Sequence, residues 1–204
     1  MFPLALLNKS EQGLTTVLTT VLNLEFNGAD GSTIIDSTGR HTPSLSASGT
    51  RAILNNQLNL AGGGYIRADA ANTASDDFDF SSSDFEVECK VTLTSGQYIW
   101  VHTASDAALG LLLRFDSATT IHVRSASNTL MMSYTAPTTF VGRQAKINLS
   151  LTGTTYSLKV NDVEVATVAS GAHTKGSNGF IIGSFPSSVG VTGLIDDFIF
   201  KRKF

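Results

Sequence analysis

Three carboxylates stand two residues apart in the stretch FDFSSSDFEVECKVTL, at Asp84, Glu86 and Glu88. Phe85, Val87, Cys89, Val91 and Leu93 take the alternate positions, so the stretch reads as a strand with one face in a core. The other face then carries all three carboxylates in a row. A carboxylate pair is the equipment of a glycosidase, one group protonating the leaving oxygen and the other acting as base or nucleophile. Strand neighbours two apart sit roughly 6.6–6.8 Å apart, whereas a retaining enzyme holds its two carboxyls about 5–5.5 Å apart. Long side chains can converge, so spacing alone leaves Glu86 and Glu88 open as a catalytic pair. A solvated or ion-paired strand face is the competing reading, and it is the one expected.

A second constellation lies on the middle segments. Tyr98, Trp100 and His102 alternate with Ile99 and Val101, and the latter two are expected to face the core. Arg114 alternates with Leu113 and Phe115, and His122 and Arg124 alternate with Ile121 and Val123. If these strands are neighbours, Tyr98, Trp100, His102, Arg114, His122 and Arg124 form one amphipathic surface. Aromatic faces stack on the C–H face of a sugar ring, and Arg and His donate to its hydroxyls. The same residues also suit an interface with another subunit, or packing of Trp100 in a second core layer.

A third group is acidic: Asp30, Asp36, Asp69, Asp76, Asp77, Asp79, Asp196 and Asp197. Calcium takes carboxylate and carbonyl oxygens from loops. The run Asp76-Asp77-x-Asp79 is therefore the candidate calcium site, although no EF-hand spacing is present. His41, His102, His122 and His173 are scattered without metal-ligand spacing, and the single cysteine, Cys89, has no histidine nearby in sequence. The chain carries no G-x-S-x-G, no phosphate-binding glycine loop and no zinc pattern.

The elements that must position these groups are short strands between turn signals. Leu22, Leu24 and Phe26 alternate before Asn27-Gly28, and Leu58 and Leu60 precede Gly62-Gly63-Gly64. Further strands are expected at 97–103, 109–115, 120–125, 130–134 and 147–151. Tyr156, Leu158 and Val160 run to a hairpin tip at Asn161-Asp162, and the chain returns over 163–168. The last strand is expected over 194–200. No long helical pattern interrupts them, so the fold expected is an all-β sandwich or barrel. Residues 1–20 are less regular, and are expected to form an edge strand or an arm that docks on a partner.

Composition narrows the function classes. Fourteen Lys and Arg against 17 Asp and Glu give a net charge of −3, which offers no basic face for nucleic acid. No apolar run approaches the roughly 20 residues of a membrane-spanning helix. MFPLALLNKSEQG has a short apolar run without a basic n-region, so it is expected to be a retained arm rather than a signal peptide.

Four segments in order carry a family resemblance. They are LNLEFNGADGSTIIDSTGRHT, LNLAGGGYIRADAANTASDDFDFSSSDFEVECKV, YSLKVNDVEVATV and GLIDDFIF. Together they resemble laminin-G-like, concanavalin-A-type jelly-roll domains, most like the single-domain versions of tailed bacteriophages. Asp162 stands where the family hairpin has Gly, Glu86 where it has Thr, and Lys90 where it often has an aromatic. Glucanases on this fold carry an E-x-D-x-E strand. Asp84-x-Glu86-x-Glu88 resembles it with the first two types exchanged, and Asp84 and Glu88 align with non-catalytic members.

The resemblance implies a sandwich of two antiparallel sheets over 21–204 and an anchoring arm over 1–20. It implies a non-enzymatic virion protein, a capsid decoration or tail component on the particle surface, contacting other virion proteins or sister chains as a homo-oligomer and also glycans. Two alternatives stay open: a shell-stabilising protein without a ligand, and a β-glucan-active hydrolase.

Overall fold

Period-two alternation becomes strand almost throughout. A computed structural model describes residues 17–27, 29, 32–45, 50–61, 64–68, 76–78, 83–95, 98–105, 108–125, 128–169, 179–183 and 191–204. The strands are β1 (Thr19–Glu25), β2 (Ile35–Asp36), β3 (Ser44–Leu45), β4 (Thr50–Leu54), β5 (Gln57–Ala61) and β6 (Ile66–Arg67). A 3-10 turn, Asp76–Phe78, precedes the long β7 (Phe85–Ser95). Next come β8 (Tyr98–Ser105), β9 (Ala108–Phe115), β10 (Thr120–Ser125), β11 (Thr129–Thr135) and β12 (Gln144–Thr152). The chain continues with β13 (Thr155–Val160), β14 (Val163–Ala169), β15 (Phe180–Ile182) and β16 (Thr192–Arg202).

These strands form two antiparallel sheets. The nine-stranded sheet runs β14-β13-β12-β7-β16-β1-β2, with β5 added to β16 and β4 to β5. The seven-stranded sheet runs β11-β10-β9-β8-β15-β6-β3. This is the expected sandwich. Residues 1–16 of the expected arm lie outside the described residues, and β1 begins at Thr19, just before the expected boundary.

β7 is central, between β12 and β16, and its inward residues are Phe85, Val87, Cys89, Val91 and Leu93. All five are buried, as the alternation requires. Burial pushes the Cys89 thiol far up, so it packs as a small hydrophobe. The aromatic centre of the core is Phe180 of β15. Its ring meets Phe200 at 5.0 Å, Phe198 at 5.3 Å and Trp100 at 5.5 Å between centroids, in edge-on arrangements.

β16 serves two neighbours in turn on one side. Gly193–Ile195 pair with β5, and Phe198–Arg202 pair with β1. The switch coincides with a bulge between Asp196 and Ile199, where Asp197 has φ 48°. A second irregularity at Thr192/Gly193 explains the Gly that opens GLIDDFIF. Gly193 has φ 151°, and a Cβ there would lie 2.2 Å from the Thr92 carbonyl oxygen.

One expected face is corrected. Ile99 and Val101 were expected inward, with Trp100 and His102 outward. A register shift between Tyr98 and Trp100 turns Ile99 and Trp100 both into the core. Trp100 is 1% exposed and His102 is 0% exposed, its Nε2 donating to the Phe78 carbonyl at 3.0 Å. Val101 is buried too, but outside the sandwich core, on the opposite face of its sheet. Packing Trp100 against Phe180 buries the largest apolar side chain of the region, which favours the bulge.

Candidate functional site

The outer face of the nine-stranded sheet accounts for the carboxylate row. Glu86 stands opposite Lys201 of β16, and Lys201 Nζ donates to Glu86 Oε1 at 2.7 Å. Burial pushes the Glu86 carboxyl up, but Lys201 outweighs it and holds the group below the usual range. Glu88 lies opposite Asn148 of β12 and 3.2 Å from Lys146 Nζ. Lys90 pairs with Asp197, and Asp84 Oδ1 accepts from the Gly153 N–H at 2.7 Å. The row is a cross-strand ladder joining β7 to β12 and β16.

The acidic turns are likewise built into the scaffold. Asp36, 4% exposed, collects five donors. Its Oδ1 accepts from the N–H of Asn23 at 3.0 Å and of Thr38 at 3.1 Å. Its Oδ2 accepts from the Thr38 hydroxyl at 2.6 Å, the Arg40 N–H at 3.2 Å and the His41 N–H at 3.0 Å. The D-S-T-G-R-H segment is thus a turn wound around one carboxylate, with Gly39 at φ 69°. The next two side chains tie the turn to Asp77. Arg40 Nε donates to Asp77 Oδ2 at 2.8 Å, and His41 Nε2 lies 3.2 Å from the same oxygen. The Arg40 guanidinium holds the Asp77 carboxyl below its ordinary range. In the candidate calcium run, then, the Asp77 carboxylate is engaged by Arg40 and His41, and the Asp76 carbonyl accepts from Arg202. Asp79 lies outside the described residues. Among the described residues no group of three acidic, His or Cys side chains is arranged to hold a metal ion.

The outer face of the seven-stranded sheet brings three of the six expected ligand residues together. Arg114 of β9 stands opposite His122 of β10 in register, and Arg124 stands opposite Leu112. The row through Leu112 continues across the sheet to Val101, Ile181 and Arg67. Val101, Leu112 and Ile181 are buried yet separate from the sandwich core, so they form a covered apolar floor beneath the polar side chains of this face. Beside the floor lie Arg114 and His122, whose side chains are only 14% and 12% exposed.

The polar contacts in this cluster are specific. Arg114 Nη2 donates to Asp116 Oδ1 at 2.7 Å, and His122 Nδ1 lies 3.3 Å from that oxygen. Arg124 Nη2 is 3.2 Å from His122 Nδ1, and Arg124 Nη1 donates to the Asn128 carbonyl at 2.8 Å. An arginine can only donate, so His122 Nδ1 accepts and the neutral ring carries its proton on Nε2. Burial holds the His122 pKa below its ordinary value, and Arg124 and Arg114 reinforce this against the pull of Asp116.

Trp100 and His102 face the core, away from this cluster. Tyr98 pairs with Arg114 in register, which puts its position at the cluster's margin. Arg67, Asp116 and the floor residues Val101, Leu112 and Ile181 escaped the sequence reading. Val101 was hidden by the bulge in β8. Arg67 and Ile181 meet the cluster only through strand order, which no local spacing encodes. A cleft of about 440 Å³ also lies at the open edge of the sandwich, lined in part by Tyr134 and Val163 near the free strands β11 and β14.

No protein-family model matches the sequence, and no curated protein sequence matches it. Solved structures do. Domain 4 of AbnA, a GH43 extracellular arabinanase from Geobacillus stearothermophilus solved with arabinotriose, matches with a TM-score of 0.68 and 18% identity. That match covers 91% of this chain and 93% of the domain. Trypanosoma rangeli sialidase matches with a TM-score of 0.67 and 16% identity, over 92% of this chain and 31% of the sialidase. The chain thus spans about a third of the sialidase. The likeness is one of fold. It corrects the expectation of a non-enzyme: the matching sandwiches belong to an arabinanase and a sialidase, so the fold lends that exclusion no support. The bacteriophage part of the resemblance rests on the sequence motifs.

Proposed function

We propose that this chain is a glycan-binding β-sandwich domain whose ligand surface is the outer face of the seven-stranded sheet. One observation carries the reading: Arg114, His122 and Arg124, three donor side chains, converge on this face. Fixed donors held in register on neighbouring strands suit a sugar, which presents hydroxyls at its rim. The arabinotriose held by the AbnA domain makes arabino-oligosaccharides a natural first probe. The sequence motifs further support display on a bacteriophage particle through residues 1–20. Mass spectrometry of purified particles that fails to find the chain would end that part.

The glycan reading is tested on an array of neutral and acidic glycans with the wild-type chain and the Arg114→Ala/His122→Ala double variant. The expected result is binding that falls at least tenfold in the variant while its melting transition stays cooperative. Binding unchanged in a folded variant would move the site elsewhere. No binding by the wild type would refute the reading.

A further inference from the structure

We infer that the Arg114–His122–Arg124 cluster takes a saccharide bearing a carboxylate, and that Arg124 supplies the counter-charge. The inference rests on the glycan reading above and names the substrate class of the same site. Arg124 has no carboxylate partner among the described residues. Its Nη atoms go to a neutral imidazole and a backbone carbonyl, and its Nε is enclosed without an acceptor. A half-buried guanidinium gains from an anion an ion-pair attraction that its neutral acceptors do not supply. Around His122 two guanidiniums, those of Arg114 and Arg124, face one carboxylate, that of Asp116.

The cluster already displays the contact it offers. Asp116 accepts from Arg114 at 2.7 Å beside His122, so a carboxylate fits against an arginine of this cluster. A ligand carboxylate takes the matching place on the Arg124 side, accepting from Nη2 in place of His122 Nδ1. The His122 Nε2–H remains a donor for a ring hydroxyl.

His122 also tunes the site. It is faced by Arg114 and Asp116 from β9 and the residue after it, by Arg124 on its own strand, and by the uncharged Ser133 opposite on β11. A protonated ring donates from Nδ1 to Asp116 and no longer accepts from Arg124. Protonation therefore frees Arg124 Nη2 and adds a positive charge, so anion affinity rises as pH falls below neutrality, until the sugar acid itself is protonated.

The test uses the full chain and three probes in titration calorimetry at low and high salt: polygalacturonate, the same polymer after chemical reduction of its carboxyls, and dextran sulfate. The expected result is binding to polygalacturonate, at least tenfold weaker binding to the reduced polymer, and a similar loss in Arg124→Gln. Affinity for polygalacturonate should rise from pH 7.5 to pH 5.5 in the wild type and stay flat in His122→Gln. Equal binding of polygalacturonate and its reduced form would overturn the inference and leave the glycan reading standing. Dextran sulfate binding as tightly as polygalacturonate would overturn the preference for carboxylate. If Arg124→Gln does not fold, the wild-type comparison of the three polymers still decides. Binding to no glycan, neutral or acidic, would remove the reading on which the inference rests.

Discussion

Replacing Asp36 by Asn keeps the size of the side chain and removes half of what it does. Five donors converge on the two carboxylate oxygens of Asp36, four of them backbone N–H groups. An amide has one acceptor oxygen. If it keeps the Oδ2 position, the new NH2 group points at the N–H groups of Asn23 and Thr38, and both lose their acceptor. If it keeps the Oδ1 position, the His41 N–H is orphaned instead, the Arg40 N–H keeps only its 3.3 Å bond to the Thr38 hydroxyl oxygen, and the new NH2 group faces both. Either way one or two part-buried donors are stranded opposite an NH2 group, at about 1–3 kcal/mol each. The expected loss is therefore ~3 kcal/mol, or roughly 6–12 °C in Tm for a chain of this size.

The charge adds a second signature. Burial pushes the Asp36 carboxyl up, but the Thr38 hydroxyl and the N–H groups of Asn23, Thr38 and His41 outweigh it and hold the group below its ordinary value. A carboxyl lowered by folding contributes stability that is fully present above its unfolded pKa and is lost as pH falls through its folded pKa. The gap in Tm between wild type and Asp36→Asn should thus be widest near neutrality and shrink below about pH 4. Calorimetric melting from pH 7 to pH 2.5 measures both effects. A Tm drop under 2 °C at pH 7, or a gap that grows in acid, would refute this account of the turn.

Other outcomes follow from the same physics. Gly193→Ala should cost ~3 kcal/mol or more in urea unfolding, because its Cβ meets the Thr92 carbonyl oxygen in rigid backbone at 2.2 Å. Asp162→Gly should raise Tm by about 1–3 °C, since Asp162 sits at φ 66° in the hairpin tip, a conformation that Gly adopts without strain; loss of its exposed pair with Lys146 offsets little. Because folding lowers the His122 pKa, the unfolded chain takes up its proton first as pH falls. Stability should decline below about pH 6.5 and level off beneath the folded value, and His122→Gln should flatten that step.

Regular alternation was the legible part of this fold. β7, β13 and the hairpin to β14 stand where Val87, Cys89, Leu158 and Asn161-Asp162 put them. β8 misled because a bulge costs one residue of register, and a one-residue slip exchanges the two faces of a strand. Trp100 and His102 went inward for that reason, and Val101 went outward. Arg114, His122 and Arg124 were legible as sharers of one face, because β9 and β10 are joined by a short turn and pair in simple register. Arg67 and Ile181 lay beyond reach, since β15 slots between β8 and β6 only after most of the chain has been laid down. Asp36 was visible as a turn former, but a list of five donors requires the folded path of β1.

The split allegiance of β16 bears on how the chain leaves the ribosome. Thr192–Arg202 follow every other strand in the sequence, yet they fill the slot between β7 on one side and β5 and β1 on the other. Until they emerge, β7 and β1 each hold out an unpaired edge, and the inward Phe198 and Phe200 are missing from beneath Phe180. The nine-stranded sheet is then two incomplete pieces with sticky margins, a form prone to pair with a neighbouring nascent chain. Synthesis and folding of this protein are therefore sequential rather than concurrent, and the exposed edges of β1 and β7 must be kept from other chains until β16 arrives.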